Sequence, residues 1–125
     1  MIERLDHVNV RTANLERLVR FYEDVLGLRS GERPPLGFPG AWIYAGDRAV
    51  IHLVGVAEQP VPEGALRLEH FAFTASGLRE FVARLERAGV TFRQSRQAGT
   101  GNVVINLHDP DGNRLHVDFA ASEAD

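Results

Sequence analysis

The chain contains no cysteine and no lysine. Without cysteine it has no disulfide, no thiolate metal ligand and no thiol nucleophile. Without lysine it has neither a Schiff-base amine nor the lysine of a phosphate-binding P-loop, and all 14 basic residues are arginine. One Trp, two Tyr and seven Phe are too few and too scattered to form a stripe on which nucleic-acid bases would stack. No apolar run approaches the roughly 20 residues that a membrane span needs. The start, Met1-Ile2-Glu3-Arg4-Leu5-Asp6-His7, has no apolar signal segment, so a cytoplasmic location is expected. Fourteen basic against 17 acidic residues leave a net charge of −3, which argues against nucleic acid or an anionic membrane as a partner. What remains is the composition of an ordinary folded protein, 44% hydrophobic and 25% charged, long enough to bury a core without staples.

The 125 residues repeat themselves. Leu5-Asp6-His7-Val8-Asn9-Val10, a polar turn, and Leu15-Glu16-Arg17-Leu18-Val19-Arg20-Phe21-Tyr22 are followed by Gly27. Sixty-three residues later come Leu68-Glu69-His70-Phe71-Ala72-Phe73, a turn, and Leu78-Arg79-Glu80-Phe81-Val82-Ala83-Arg84-Leu85, followed by Gly89. Each stretch reads as a strand, a turn and an amphipathic helix. Leu15, Leu18, Val19, Tyr22 and Leu26 fall at helical spacing, as do Leu78, Phe81, Val82 and Leu85. Asn14 or Thr12 suits the first cap and Ser76 the second, while Gly27 and Gly89 suit the left-handed residue after a helix end.

Each half continues into a hairpin: Trp42–Tyr44 with Ala49–Val54, and Val103–Leu107 with Leu115–Phe119 across the turn Asp109-Pro110-Asp111-Gly112-Asn113. Segments 29–41 and 91–101 leave room for one more strand in each half. The organisation expected is a first module over residues 1–54, a linker over 55–67, a second module over 68–119 and a frayed tail over 120–125.

Four of the five histidines stand in register. His7 and His70 are expected on the first strand of each half, and His52 and His116 lie on the last, 64 residues apart. Strand alternation sets Val8 and Val10, Phe71 and Phe73, and Leu115, Val117 and Phe119 against the helices. His7, His70 and His116 then share the opposite, wetter face with Asn9, Arg11, Thr74, Arg114 and Asp118, whereas His52 shares its face with the apolar Val50 and Val54. Imidazole is the commonest side-chain metal ligand, so the matched set His7, His52, His70 and His116 points to one divalent ion. His108, next to the Asp-Pro turn and outside the pairing, reads as an exposed turn residue.

The stretches Asp6-His7-Val8, Phe21-Tyr22-Glu23-Asp24-Val25-Leu26-Gly27-Leu28, Glu69-His70-Phe71-Ala72-Phe73 and Asp109-Pro110-Asp111-Gly112-Asn113-Arg114-Leu115 resemble the vicinal oxygen chelate superfamily. That superfamily includes glyoxalase I, fosfomycin- and bleomycin-resistance proteins, methylmalonyl-CoA epimerase and extradiol dioxygenases. The resemblance runs from Leu5 to Phe119. It implies an α+β fold of two βαβββ modules that form a cupped mixed sheet with helices on the convex face. It also implies a divalent ion, zinc, nickel or iron, at His7, His52, His70 and His116. In glyoxalase-like members the last-strand ligands are usually carboxylates or an amide, and such a carboxylate is the proton-moving base of glyoxalase I. Here both are histidine, which leaves His116 as the candidate catalytic base.

The resemblance further implies a homodimer with shared sites, in which His7 and His52 of one chain meet His70 and His116 of the other. The function it implies is metal-dependent chemistry on a small oxygen-rich substrate, whether isomerase, lyase, transferase or dioxygenase. The alternative is a non-catalytic binding protein of the bleomycin-resistance type. Asn9, Arg11, Trp42, Thr74 and Arg114 are candidate pocket residues, with Phe38 and the 34–40 loop as a lid. Tyr44 is expected in the core.

Overall fold

In the computed structural model, which describes residues 1–61 and 64–124, the chain divides into two compact units, Met1–Val61 and Pro62–Asp125. The first holds β1 (Val8–Thr12), α1 (Leu15–Arg20) continued by a π turn (Phe21–Val25), β2 (Arg29–Gly31), β3 (Gly40–Ala45) and β4 (Arg48–Gly55). The second holds β5 (Phe71–Ala75), α2 (Leu78–Arg87), β6 (Phe92–Arg96), β7 (Val103–His108), β8 (Arg114–Phe119) and a 3-10 turn (Ala121–Glu123). Both units are βαβββ, as the sequence implies. Each builds its own four-stranded mixed sheet, in the orders β1-β4-β3-β2 and β5-β8-β7-β6. The first strand of each unit runs parallel to the last, and the other neighbours are antiparallel. No helix among the described residues is long and apolar enough to cross a membrane.

Alternation along the strands separates two faces. Ile43, Ile51 and Leu53 are buried in the first unit, and Val103, Ile105, Leu107, Leu115, Val117 and Phe119 in the second. The helices supply Leu18, Phe21 and Tyr22 to one core and Leu78 and Leu85 to the other. The Phe81 ring lies 5.5 Å from that of Phe119. Fully burying one such aliphatic side chain contributes about 1.5–3 kcal/mol, so these short apolar rows are what hold each sheet to its helix.

Several details differ from the sequence expectation. α1 gives way to a π turn after Arg20, where Leu26 N–H bonds the Phe21 carbonyl at 3.3 Å. The widened turn lets the consecutive residues Phe21 and Tyr22 both face inward, edge to face at 5.3 Å. Ser76 does not cap α2. Gly77 takes the cap position in the left-handed region, and the Glu123 carboxylate accepts the Gly77 and Leu78 N–H groups at 2.8 and 2.9 Å. The tail up to Ala124 is therefore a turn that serves a helix, not a frayed end. Asn14 makes no side-chain cap, and Thr12 Oγ1 accepts the Asn14 N–H at 2.9 Å instead. Gly27 and Gly89 end their helices at φ 74° and 68°, as expected. β1 and β5 begin one residue after His7 and His70, so these histidines lead into their strands rather than belonging to them. His108 is the exposed last residue of β7. Residues 62 and 63 of the expected linker lie outside the described residues.

Candidate metal centre

The structure brings the four histidines together as two pairs, one in each unit. In the first, Asn9, His52, Trp42 and Gly31 stand in register across the whole sheet. Trp42 stacks on His52 with centroids 4.0 Å apart, and His52 stacks on His7 at 3.7 Å, so three rings lie in a nearly parallel pile. In the second unit Ala72, His116, Asn106 and Arg93 form the equivalent row. His70 and His116 sit 4.6 Å apart with their rings tilted.

Carboxylates stand behind three of the four imidazoles. Asp6 Oδ2 lies 2.8 Å from His7 Nδ1, Glu69 Oε2 lies 2.5 Å from His70 Nδ1, and Asp118 Oδ1 lies 2.5 Å from His116 Nδ1. An ionised carboxylate only accepts, so the proton belongs on Nδ1 and the Nε2 lone pair is left free. The hydrogen bonds from His7 and His70 hold the Asp6 and Glu69 carboxyls below their ordinary range, which keeps them ionised. A carboxylate behind the ring is the usual support of a metal-binding histidine, because it fixes the tautomer and raises the basicity of the ligating nitrogen. The second Glu69 oxygen pairs with Arg114, whose Nη2 also donates to Asn106 Oδ1 at 3.0 Å. Arg114, a candidate for the pocket, is thus engaged in holding Glu69.

His52 has no carboxylate partner. It bonds the Ala49 backbone, and burial pushes its imidazole below the ordinary value of 6.5, with the charges of His7 and, more weakly, Arg33 adding to the effect. A neutral imidazole is the form that binds a metal. The donors therefore suit a borderline divalent ion such as zinc, nickel or iron. Among the described residues, no group of three or more His, Asp or Glu side chains is arranged to hold a metal ion.

Of the candidate pocket residues, Asn9, Arg11 and Thr74 are exposed, with Asn9 and Thr74 in register with His52 and Asp118. Trp42 is built into the ring pile. Tyr44 corrects the expectation of a core residue. It lies on the histidine face and leans over Gly31, where a Cβ would come within 2.8 Å of its ring, and its hydroxyl donates to the Glu32 carbonyl at 2.6 Å. With Glu32, Arg33, Pro34 and Trp42 it lines an open recess of about 500 Å³. Sequence reasoning missed Arg33 and the partner roles of Asp6, Glu69 and Asp118. For Asp6 and Glu69 a signal was present, since an acid directly precedes the first histidine of each half.

Comparison with known proteins agrees with the fold. Residues 4–117 match the sequence pattern of the Glyoxalase/Bleomycin resistance protein/Dioxygenase superfamily. The chain is 31% identical over 120 residues to glutathione transferase FosA of Serratia marcescens, covering 94% of this chain and 81% of that one. It is 28% identical over 125 residues to lactoylglutathione lyase of Salmonella typhimurium, covering 91% and 90%. A putative glyoxalase family protein of Bacillus anthracis superposes with a TM-score of 0.79 at 23% identity over 96% of this chain and 97% of that one, a likeness of fold.

Proposed function

We propose a function for a chain that belongs to the Glyoxalase/Bleomycin resistance protein/Dioxygenase superfamily: it is a metal-dependent enzyme whose small, oxygen-rich substrate is held through two neighbouring oxygens on one divalent ion. Members of this superfamily bind small molecules and typically a divalent metal. In this reading His7, His52, His70 and His116 are the ligands, and zinc, nickel or iron is the ion. The chain is a homodimer in which His7 and His52 of one copy complete a site with His70 and His116 of the other. The observation that carries the proposal is the set of carboxylates behind His7, His70 and His116, which leaves Nε2 of each ring free to ligate.

When bound, the ion supplies Lewis acidity that polarises the substrate oxygens. The chain's own residues supply the rest. Arg114, tied to Glu69 and Asn106, keeps the His70 support in place. Asp118 holds His116 through Nδ1 with Nε2 free, so that ring, when not ligating, is the base that takes a proton at Nε2. The reaction class, isomerase, lyase, transferase or dioxygenase, is left to assay.

One observation favours the second reading, a binding protein without turnover: both last-strand positions carry imidazole where a carboxylate base would stand. His116→Glu separates the two. It restores a carboxylate, so an enzyme should keep its metal and lose or change its native activity, whereas a binding protein shows only a shift in ligand affinity. Elemental analysis of the purified protein and zinc titration calorimetry test the site itself. A chain that takes up no zinc, nickel or iron would remove the proposal, as would a His116→Glu variant with unchanged metal content, affinity and turnover. A monomeric mass by light scattering would remove the shared-site arrangement.

A further inference from the structure

We propose that Arg33 is the anchor for the acid group of a flat organic anion that lies in the recess against Trp42, beside the His7–His52 pair. The inference rests on the reading that this face receives a small molecule, and it names the class of that molecule. Arg33 follows β2 and reaches back over the histidine face. Its seat is Gly40, where a Cβ would come 2.8 Å from the Arg33 Nη2 and 2.5 Å from the Leu53 carbonyl oxygen. Gly40 and Trp42 fall on the same face of β3, so the missing side chain gives the guanidinium its place beside the indole.

The guanidinium is held but not neutralised. Nη2 donates to the Phe38 carbonyl at 3.0 Å, and the cation lies 4.9 Å above the centre of the Phe38 ring. Nε is sealed from solvent with no acceptor among the described residues. No carboxylate among the described residues pairs with it. A half-buried cation fixed by one carbonyl and one ring has donors to spare and gains from an incoming anion. The single acid in the lining, Glu32, is exposed and therefore screened by water, unlike the half-buried Arg33.

The other walls select shape. Trp42, Tyr44 and Pro34 present flat apolar surface, and the Tyr44 hydroxyl is committed to the Glu32 carbonyl. Rings beside a guanidinium suit a planar, unsaturated or aromatic acid better than a branched aliphatic one. Trp42 is the only Trp in the chain, so indole fluorescence reports on this one residue, which lines the recess.

The test is a titration of the chelator-treated full chain with benzoate, read by Trp42 fluorescence, with benzamide as the neutral isostere. The expected result is a saturable change with benzoate, at least tenfold weaker binding of benzamide, and at least tenfold weaker benzoate binding in Arg33→Gln. Arg33→Lys should recover part of the loss, because it keeps the charge without the planar fork. Equal benzoate affinity in wild type and Arg33→Gln, or no saturable response in wild type, would overturn the proposal. Zinc affinity, measured by calorimetry on the wild-type chain, tests the metal reading separately. Absent zinc binding with intact benzoate binding would remove the metal reading and leave this one standing.

Discussion

His52 and His116 occupy the same place in two copies of one sheet, 64 residues apart, yet they are supported by opposite means. His116 has Asp118 at its Nδ1, and its row neighbour Asn106 is tied through Arg114 to Glu69. His52 has Val54 where Asp118 would be, and its row neighbour Trp42 covers one face of the ring. One unit prepares its imidazole by polar bonds and the other by burial and stacking. The backbone fixes where a histidine pair falls, and the residues two along or one strand over decide what supports each ring.

That contrast can be broken in order of expected effect. Replacing either His52 or His116 with Ala should abolish stoichiometric zinc binding if both pairs serve one ion, as checked by calorimetry. Retention of full affinity in one of the two variants would show that the pairs act separately. Leu18→Ala and Leu85→Ala remove fully buried side chains from equivalent helices and should each cost about 2–5 kcal/mol in urea unfolding. A loss below 1 kcal/mol in either would mean that its core collapses around the gap. Asp118→Asn should weaken zinc binding by about 10–100-fold, while Val54→Ala, at the matching position, should leave it within a factor of a few. Equal effects would erase the distinction between acid support and stacking.

The smaller effects lie away from the histidines. Glu123→Ala frees two α2 amides and should cost about 1–2 kcal/mol, whereas Gln59→Ala frees only the Ala13 amide, held at 2.8 Å, and should cost about 0.5–1 kcal/mol. The reverse ranking would contradict the structure. Ser30→Ala should cost about 0.5–1.5 kcal/mol, since the Ser30 hydroxyl and amide both bond Glu23, at 2.6 and 3.1 Å. Those bonds lower the Glu23 pKa from its ordinary 4.5. A depressed carboxyl pKa gives stability that is full above the unfolded value and is lost as pH falls through the folded one. The difference between wild type and Ser30→Ala should therefore shrink below pH 4.5, and a gap that widens in acid would rule out this linkage.

Much of the fold was legible because its signals are local. Apolar spacing gave both helices, Gly27 and Gly89 their ends, and the Asp109 turn its hairpin. There Asp109 Oδ1 accepts the Asp111 and Asn113 N–H groups, and Oδ2 accepts the Asn113 amide. The histidine pairs were legible because the chain repeats. What escaped depends on residues far apart in sequence or on packing. Glu123 caps a helix 45 residues earlier, and no local pattern announces it. The π turn reflects two neighbouring aromatics drawn into one core. Arg33 follows β2, and only the bare backbone of Gly40 explains where its guanidinium comes to rest. Tyr44 was misplaced although alternation puts it on the same face of the strand as Trp42, a pocket candidate.

The two cap bonds carry a consequence for dissecting the molecule. Gln59 reaches Ala13 and Glu123 reaches Gly77 over the same separation of 46 residues, each from a point beyond the last strand of its own unit. The piece that was copied thus extends past its sheet and carries its own fastener. A half-length fragment cut at residue 54 would expose the amide at the start of its helix, whereas one cut at residue 61 would keep it bonded. The same holds for fusions: a partner joined directly after Ala120 would replace the segment that closes α2, and one joined ahead of Met1 would leave both fasteners untouched.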